Sequence, residues 1–259
     1  MLDKLPNPAI IAHRGASAYA PENTLAAFEL AVRQKADAIE LDAKLTLDNH
    51  VVVFHDQTLE RTTGVHGRVI GSKLADLRRL DAGSHFDVAY RGETIPTLDE
   101  VFELVGRNIL INVELTNYAS PTDHLPEQVA EIVQKHNLAQ RVMFSSFNPI
   151  ALLRIHRKLP QVPIGLLAYD GRKGSWARSW LGELIRYQSL NISLEDAEAS
   201  LVDRVHRKGR RLLVYTVNQA EDMRRLFQLG VDGIFTDDPL TAKRVLSTGS
   251  EQRLKNKES

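Results

Sequence analysis

The segment Ile11-Ala12-His13-Arg14-Gly15 closes a short apolar run, and Glu40-Leu41-Asp42 and then His55-Asp56 follow it along the chain. These residues place two imidazoles, a guanidinium and at least two carboxylates at the ends of predicted strands. That is the inventory needed for metal-assisted cleavage of a phosphate ester. Glu40 and Asp42 are two apart, so the period of a strand puts both on one side of it. Two carboxylates so placed repel unless positive charge lies between them. A hard divalent cation, Mg²⁺ or Ca²⁺, suits such oxygen ligands, and Glu114 at the end of the third barrel strand can supply another. The competing reading of the same spacing is that these acids pair with Arg14 or another base.

His13 and His55 reach the same rim from different segments. Two histidines there can divide the work, one taking a proton from the attacking oxygen and the other giving one to the leaving alkoxide. Arg14 offers a planar fork for two phosphate oxygens, or else neutralises Glu40 or Asp42. In Pro21-Glu22-Asn23-Thr24, Asn23 or Thr24 reads as the N-cap of the first helix, a structural role. Phe147 and Tyr215 are candidates for an apolar wall against substrate, although each alone reads as core.

The elements that must position these groups are short β-branched runs alternating with helical patterns. Strands are expected at Ala9 to His13, Ala38 to Asp42, Leu110 to Leu115, Val142 to Ser145, Ile164 to Leu167, Leu190 to Ser193, Leu212 to Thr216 and Gly233 to Thr236. Amphipathic stretches such as Leu25 to Arg33, Leu125 to His136, Pro149 to Leu159, Ala197 to Lys208 and Ala220 to Leu229 lie between them. Eight such units imply a parallel sheet closed on itself and covered by helices. Val51 to Phe54 follows Leu45 too closely for a crossover, so it is expected as a hairpin that brings His55 back toward Asp42. The expected organisation is one barrel over 1–246, with an insertion at about 43–96 and a frayed polar tail at 247–259. After the insertion, Thr97-Leu98-Asp99-Glu100 reads as a capping box.

At 259 residues the chain fits one α/β barrel of about 250 residues. Lys+Arg and Asp+Glu balance at 33 each, so there is no bulk positive field for nucleic acid or an anionic membrane. An anion must be caught by local geometry, and the expected partner is a small molecule. The chain has no cysteine, which excludes a thiolate nucleophile, disulfides and Cys-ligated zinc. No stretch approaches a membrane span, and the run after Met1 to Pro8 is too short for a signal sequence, so a cytoplasmic location is expected.

The chain resembles the glycerophosphodiester phosphodiesterase family, of the bacterial cytosolic type, over about residues 9 to 245. The pieces that carry the match are His13-Arg14-Gly15, Pro21-Glu22-Asn23-Thr24, Glu40-Leu41-Asp42, His55-Asp56, Arg61-Thr62-Thr63, Ile95-Pro96-Thr97-Leu98, Glu114, Ser146-Phe147, Thr216-Val217-Asn218 and Gly233-Ile234-Phe235-Thr236-Asp237. The resemblance implies a TIM-type (β/α)8 barrel with a small insertion after the second strand. It implies one divalent metal ion on Glu40, Asp42 and Glu114, acid/base work by His13 and His55, and phosphate contact by Arg14. The implied reaction is hydrolysis of a glycerophosphodiester to sn-glycerol 3-phosphate and an alcohol, a step of glycerol and lipid metabolism. A homo-oligomer is left open.

One departure from the family bears on chemistry. Many members carry Lys two residues after the third metal carboxylate, where this chain has Thr116. A hydroxyl donates a hydrogen bond but brings no charge, so either another base substitutes or the substrate subset differs. Lys35 also stands where a helix-ending Gly is common, and Tyr215 where Trp is frequent. Two alternatives remain: a phospholipase D type enzyme on the same barrel, which should show an exposed apolar rim or a secretion signal with disulfides, and a barrel that binds a phosphorylated ligand without turning it over, for which Thr116 is the only support.

Overall fold

The computed structural model describes residues 1–118 and 122–255, with 249–255 as backbone alone. The strands are β1 (Ala9–Ala12), β2 (Ala38–Leu45), β3 (Val51–Val53), β4 (Leu110–Leu115), β5 (Val142–Ser146), β6 (Ile164–Ala168), β7 (Ser189–Ser193), β8 (Arg211–Tyr215) and β9 (Gly233–Thr236). All except β3 are parallel, and β1 pairs with both β9 and β2, which closes the sheet into a TIM-type barrel. Helices Leu25–Arg33, Leu98–Val105, Leu125–Lys135, Pro149–Lys158, Ala199–His206 and Ala220–Leu229 cover its outside. No described helix is long and apolar enough to cross a membrane.

β2 runs three residues beyond its expected end because β3 folds back along it antiparallel, Ala43 opposite Val53 and Leu45 opposite Val51. The chain between this hairpin and the next barrel helix has its own small core of Val52, Phe54, Leu59, Val69, Leu77, Ala82 and Ile95. The insertion is therefore a packed unit seated over the second strand. At the other end, the helix Pro239–Lys255 continues through most of the segment expected as a frayed tail. A helix already nucleated can propagate into a polar sequence, here across Gly249.

Alternation along the strands divides the molecule into an outer and an inner apolar layer. On β2, Ile39, Leu41, Ala43 and Leu45 join the large core beneath the helices, whereas Ala38 belongs to a separate inner cluster. On β4, Ile111, Val113 and Leu115 face outward and Leu110 inward. The inner cluster contains Ile11, Met143, Leu213 and Phe235, together with Met1, Leu2 and Leu5 from the first turn of chain, which close the floor of the barrel. By the period of two, the next inward positions above that floor are polar: Glu40, Asp42 and Lys44 on β2, and Asn112, Glu114 and Thr116 on β4.

The capping box forms as its sequence pattern requires. Thr97 Oγ1 accepts from Glu100 N at 3.2 Å, and the Glu100 carboxylate accepts from Thr97 N at 2.8 Å. Thr97→Ala is expected to lower unfolding free energy by about 1 kcal/mol, seen as a lower urea midpoint with unchanged slope. An unchanged midpoint would show that the cap does not contribute.

Candidate active site

β2 and β4 pair in register with Asp42 opposite Glu114 and Glu40 opposite Asn112, which brings the three acids to one level inside the barrel. Each of them can offer an oxygen within 4.8 Å of the other two, so the group could hold a metal ion. Burial and the charges of Asp42 and Glu114 push the Glu40 carboxyl well above its ordinary range. Burial, then Asp42, pushes Glu114 up to about 8. Burial also works against the Asp42 charge, but the Arg14 guanidinium outweighs it and holds that carboxyl low.

Arg14 serves the acids twice. Its left-handed backbone (φ 57°) lets its N–H donate to Glu40 Oε2 at 2.9 Å, while its Nε lies 3.3 Å from Asp42 Oδ2. Gly15 follows at φ 86°, where an added Cβ would lie 2.7 Å from the backbone of Ala27. Thr24 takes the N-cap, accepting from Ala27 N at 3.3 Å. Asn23, read from sequence as a cap candidate, instead turns inward: its amide donates to Asp42 Oδ2 at 2.8 Å, and its Oδ1 accepts from Asp42 N at 3.3 Å.

Each rim histidine is held by an acid. His13 Nδ1 lies 2.7 Å from Asp237 Oδ1, and Asp237 also accepts from Ser17 and Asn218. Burial opposes the Asp237 charge, but the His13 hydrogen bond leads the effects that keep it low. His55 Nδ1 lies 2.7 Å from Asp56 Oδ1. Burial opposes the Asp56 charge as well, yet hydrogen bonds from Arg61 and His55 bring its pKa down to about 2. An ionised carboxylate only accepts, so both rings donate from Nδ1, and their proton chemistry rests with Nε2.

Arg61, in the insertion, donates to Asp56 Oδ2 at 2.6 Å and to both oxygens of Glu22 at 2.7 Å. Glu22 in turn accepts from Arg14 at 3.0 Å. One charge chain therefore runs Arg14, Glu22, Arg61, Asp56, His55. Sequence reading assigned no role to Glu22 or Arg61, which meet only through the tertiary fold.

A cleft of about 690 Å³ opens above the acids, lined by His13, Arg14, Glu40, Asp42, His55, Asn112, Glu114, Phe147 and Tyr215 among others. All eight site residues expected from sequence thus border one space. Phe147 stacks on Tyr169 at 4.1 Å and meets Tyr215 edge-on at 6.0 Å. Tyr118 also meets Phe147 edge-on, and its hydroxyl donates to Glu114 Oε1, a contact no strand or helix period foretells. The exposed apolar residues Trp180 and Leu184 lie elsewhere: Glu183 between them pairs with Lys208, beyond the floor-side end of the helix Ala199–His206.

Thr116 lies outside this lining: its Oγ1 accepts from Lys44 Nζ at 2.8 Å, and the two side chains border a separate cavity with Gln57, Arg68 and Asp123.

A family model described as the glycerophosphoryl diester phosphodiesterase family matches residues 13–241. A glycerophosphodiester phosphodiesterase of Caldanaerobacter subterraneus subsp. tengcongensis is 39% identical over 241 residues, covering 93% of this chain and 98% of that protein. Among solved structures, an Oleispira antarctica phosphodiesterase in complex with the product sn-glycerol-3-phosphate superposes with a TM-score of 0.85 at 31% identity, covering 93% of this chain and 97% of that one. A putative glycerophosphoryl diester phosphodiesterase from Silicibacter pomeroyi gives 0.87 at 27% identity, covering 96% and 97%.

The raised carboxyl of Glu114 sets a pH dependence for metal-free protein. With a folded pKa of about 8 against an ordinary 4.5, the folded state binds more protons than the unfolded state in that interval. This stabilisation is complete below pH about 4.5 and is lost as pH rises through about 8. A divalent cation must displace protons at low pH, so Mg²⁺ or Ca²⁺ is expected to raise Tm more at about pH 8 than at about pH 5. Equal shifts at both would disconnect the acids from the cation.

Proposed function

The chain belongs to the glycerophosphoryl diester phosphodiesterase family, a family of enzymes, and from that premise we propose that it is a metal-dependent hydrolase of small glycerophosphodiesters that releases sn-glycerol 3-phosphate and an alcohol. The observation that carries this reading is the convergence on one cleft of three carboxylates and two carboxylate-held histidines. The acid group suits a divalent cation: Glu40 Oε1 is buried without a hydrogen-bond partner, and the ligands are hard oxygens. Glu40, Asp42 and Glu114 would hold Mg²⁺ or Ca²⁺. Bound there, the ion would supply Lewis-acid stabilisation of charge on the phosphoryl oxygens.

The chain's own groups do the rest. Arg14 presents a buried guanidinium to the anionic diester and keeps Asp42 ionised. His13 and His55 share the proton transfers, one Nε2 accepting from the attacking hydroxyl and the other donating to the leaving oxygen. Asp237 and Asp56 keep the two rings in the tautomer this needs. The attacking oxygen belongs to water or to the glycerol hydroxyl beside the phosphate, and trapping a cyclic glycerol phosphate during turnover would select the second. Phe147 and Tyr215 form the apolar wall that seats the carbon skeleton. The non-catalytic alternative has only Thr116 in its favour, against three carboxylates and two acid-held histidines on one cleft.

Steady-state assays with glycerophosphocholine, glycerophosphoethanolamine and a bis-aryl phosphate test the reading. Exhaustive chelation is expected to abolish turnover and added Mg²⁺ or Ca²⁺ to restore it. Full activity after chelation would remove the metal assignment. His13→Ala and His55→Ala are each expected to lower kcat by roughly two to four powers of ten, with a much smaller change in KM. A loss confined to KM would deny the histidines their proton-transfer role.

A further inference from the structure

The backbone holds the two rim histidines unequally. His13 follows β1 directly, its N–H donates to Thr236 O at 2.9 Å, and its side chain is 19% exposed. Its carboxylate partner Asp237 also accepts from Ser17 and Asn218, so the barrel alone fixes that ring. His55 stands two residues past the end of β3, and its side chain is 41% exposed. Among the described residues the backbone of His55 and Asp56 makes no hydrogen bond. Whatever fixes this ring must act through side chains.

The His55 ring leans on Asp56, with 2.7 Å from Nδ1 to Oδ1, and Asp56 belongs to the same untied stretch. A carboxylate free to swing cannot fix an imidazole. Arg61 supplies the restraint. Its Nε donates to Asp56 Oδ2 at 2.6 Å and its Nη2 to Asp56 Oδ1 at 3.1 Å, while Nη1 and Nη2 donate to the two oxygens of Glu22 at 2.7 Å each. One guanidinium thus grips two carboxylates, each by both oxygens, which the point charge of an ammonium cannot do. Both ends of the clamp are anchored. Arg61 lies in the short helix Glu60–Thr63, flanked by the buried Leu59 and Thr62, and Glu22 accepts also from Arg14 at 3.0 Å. The Arg61 side chain is 48% exposed, and exposed ion pairs contribute little to stability. What this clamp contributes is direction, because the carboxylate that orients His55 is itself tied to the guanidinium beside the acids.

We propose that Arg61 is a positioning residue for the second histidine: it clamps Asp56 against Glu22 and so holds His55 Nε2 in the cleft at the phosphoryl site that Arg14 marks. Arg61 lies outside the cleft lining, bordering a small neighbouring cavity with Glu22 and His55, so it acts through Asp56 and not on the substrate. The proposal rests on the phosphodiesterase reading and adds to it a residue of the insertion on which proton transfer depends. The insertion then does more than carry His55 back on a hairpin, since it also sets the angle of the ring.

The test uses purified full-length Arg61→Met and Arg61→Lys, each made also in the His55→Ala background, with glycerophosphocholine as substrate and saturating Mg²⁺. It measures kcat, KM and the imidazole 15N spectrum, in which the His55 signals are assigned by their loss from His55→Ala. Arg61→Met is expected to lower kcat by about 10- to 100-fold, the scale of a reacting group misplaced by about 1 Å, with KM within about threefold of wild type. Arg61→Lys is expected to recover only part of that loss, because it cannot grip both carboxylates by both oxygens. In the His55→Ala background either substitution is expected to change kcat by less than about threefold, since no ring is left to position. The His55 signals are expected to move in Arg61→Met while those of His13 stay.

Wild-type kcat in Arg61→Met would overturn the proposal. So would a loss confined to KM, which would put Arg61 on substrate binding through Glu22 and Arg14. An equal fall in kcat with and without His55 would mark general damage to the insertion and would also overturn it. If Arg61→Met does not fold, the charge-preserving Arg61→Lys decides: it must lose kcat by at least about threefold, with that loss absent in the His55→Ala background, and a folded Arg61→Lys short of either refutes the proposal. Absence of any diester turnover by wild type would fell the functional reading and leave the His55 signals to judge the arginine, whereas turnover with unmoved signals would fell only the arginine's part.

Discussion

Mutual repulsion among three carboxylates packed into one layer of the barrel interior is the constraint that the rest of the site answers. Their oxygens approach within 4.8 Å, where two like charges cost on the order of 3 kcal/mol at an effective dielectric near 20. Burial adds a further penalty to each charge. The fold meets this with a backbone N–H and a guanidinium from Arg14, an amide from Asn23 and a hydroxyl from Tyr118, and the repulsion that is left pushes the carboxyls of Glu40 and Glu114 upward. Those upward shifts mark the place of the charge that the layer still requires.

The same constraint explains why the insertion is joined to the barrel by charges as well as by the hairpin. Arg14 is drawn to Asp42 on one side and to Glu22 on the other, and Glu22 is shared with Arg61. Through Asp56 the chain ends on His55. The ring that must reach the cleft from outside the barrel is thus tied to the guanidinium beside the acids. On the opposite side His13 is held by Asp237, at the end of the strand that pairs with its own. Each imidazole is therefore oriented by a carboxylate of its own segment or of its neighbour's, independently of the other.

Most of the barrel was legible in the residues because buried parallel strands and amphipathic helices each leave a period. Eight short β-branched runs correspond to the eight barrel strands, and the short link through Asp48-Asn49 exposed the hairpin. Glu40, Asp42 and Glu114 were legible for the same reason, being acids where the period points inward at a strand end. Lys44 lies on the same inward period, and its hydrogen bond to Thr116 on the neighbouring strand leaves no mark in either local sequence. Asn23, Arg61 and Tyr118 left no such trace. Their partners are set by loop paths, and a cap-like motif hid the asparagine. The helix that reaches Lys255 left no trace either, because the segment after Leu246 is polar and carries Gly249.

The barrel floor sealed by Met1, Leu2 and Leu5 against Ile11, Met143 and Phe235 makes the cleft a blind well. Arg211 donates to the carbonyls of Leu5 and Pro6 and keeps that stopper seated. A blind well has one doorway, so anything that enters must back out the way it came, and nothing bulky can pass beneath the acids. The floor, made of residues remote from any chemistry, thus leaves the mouth as the approach by which a molecule meets the acids.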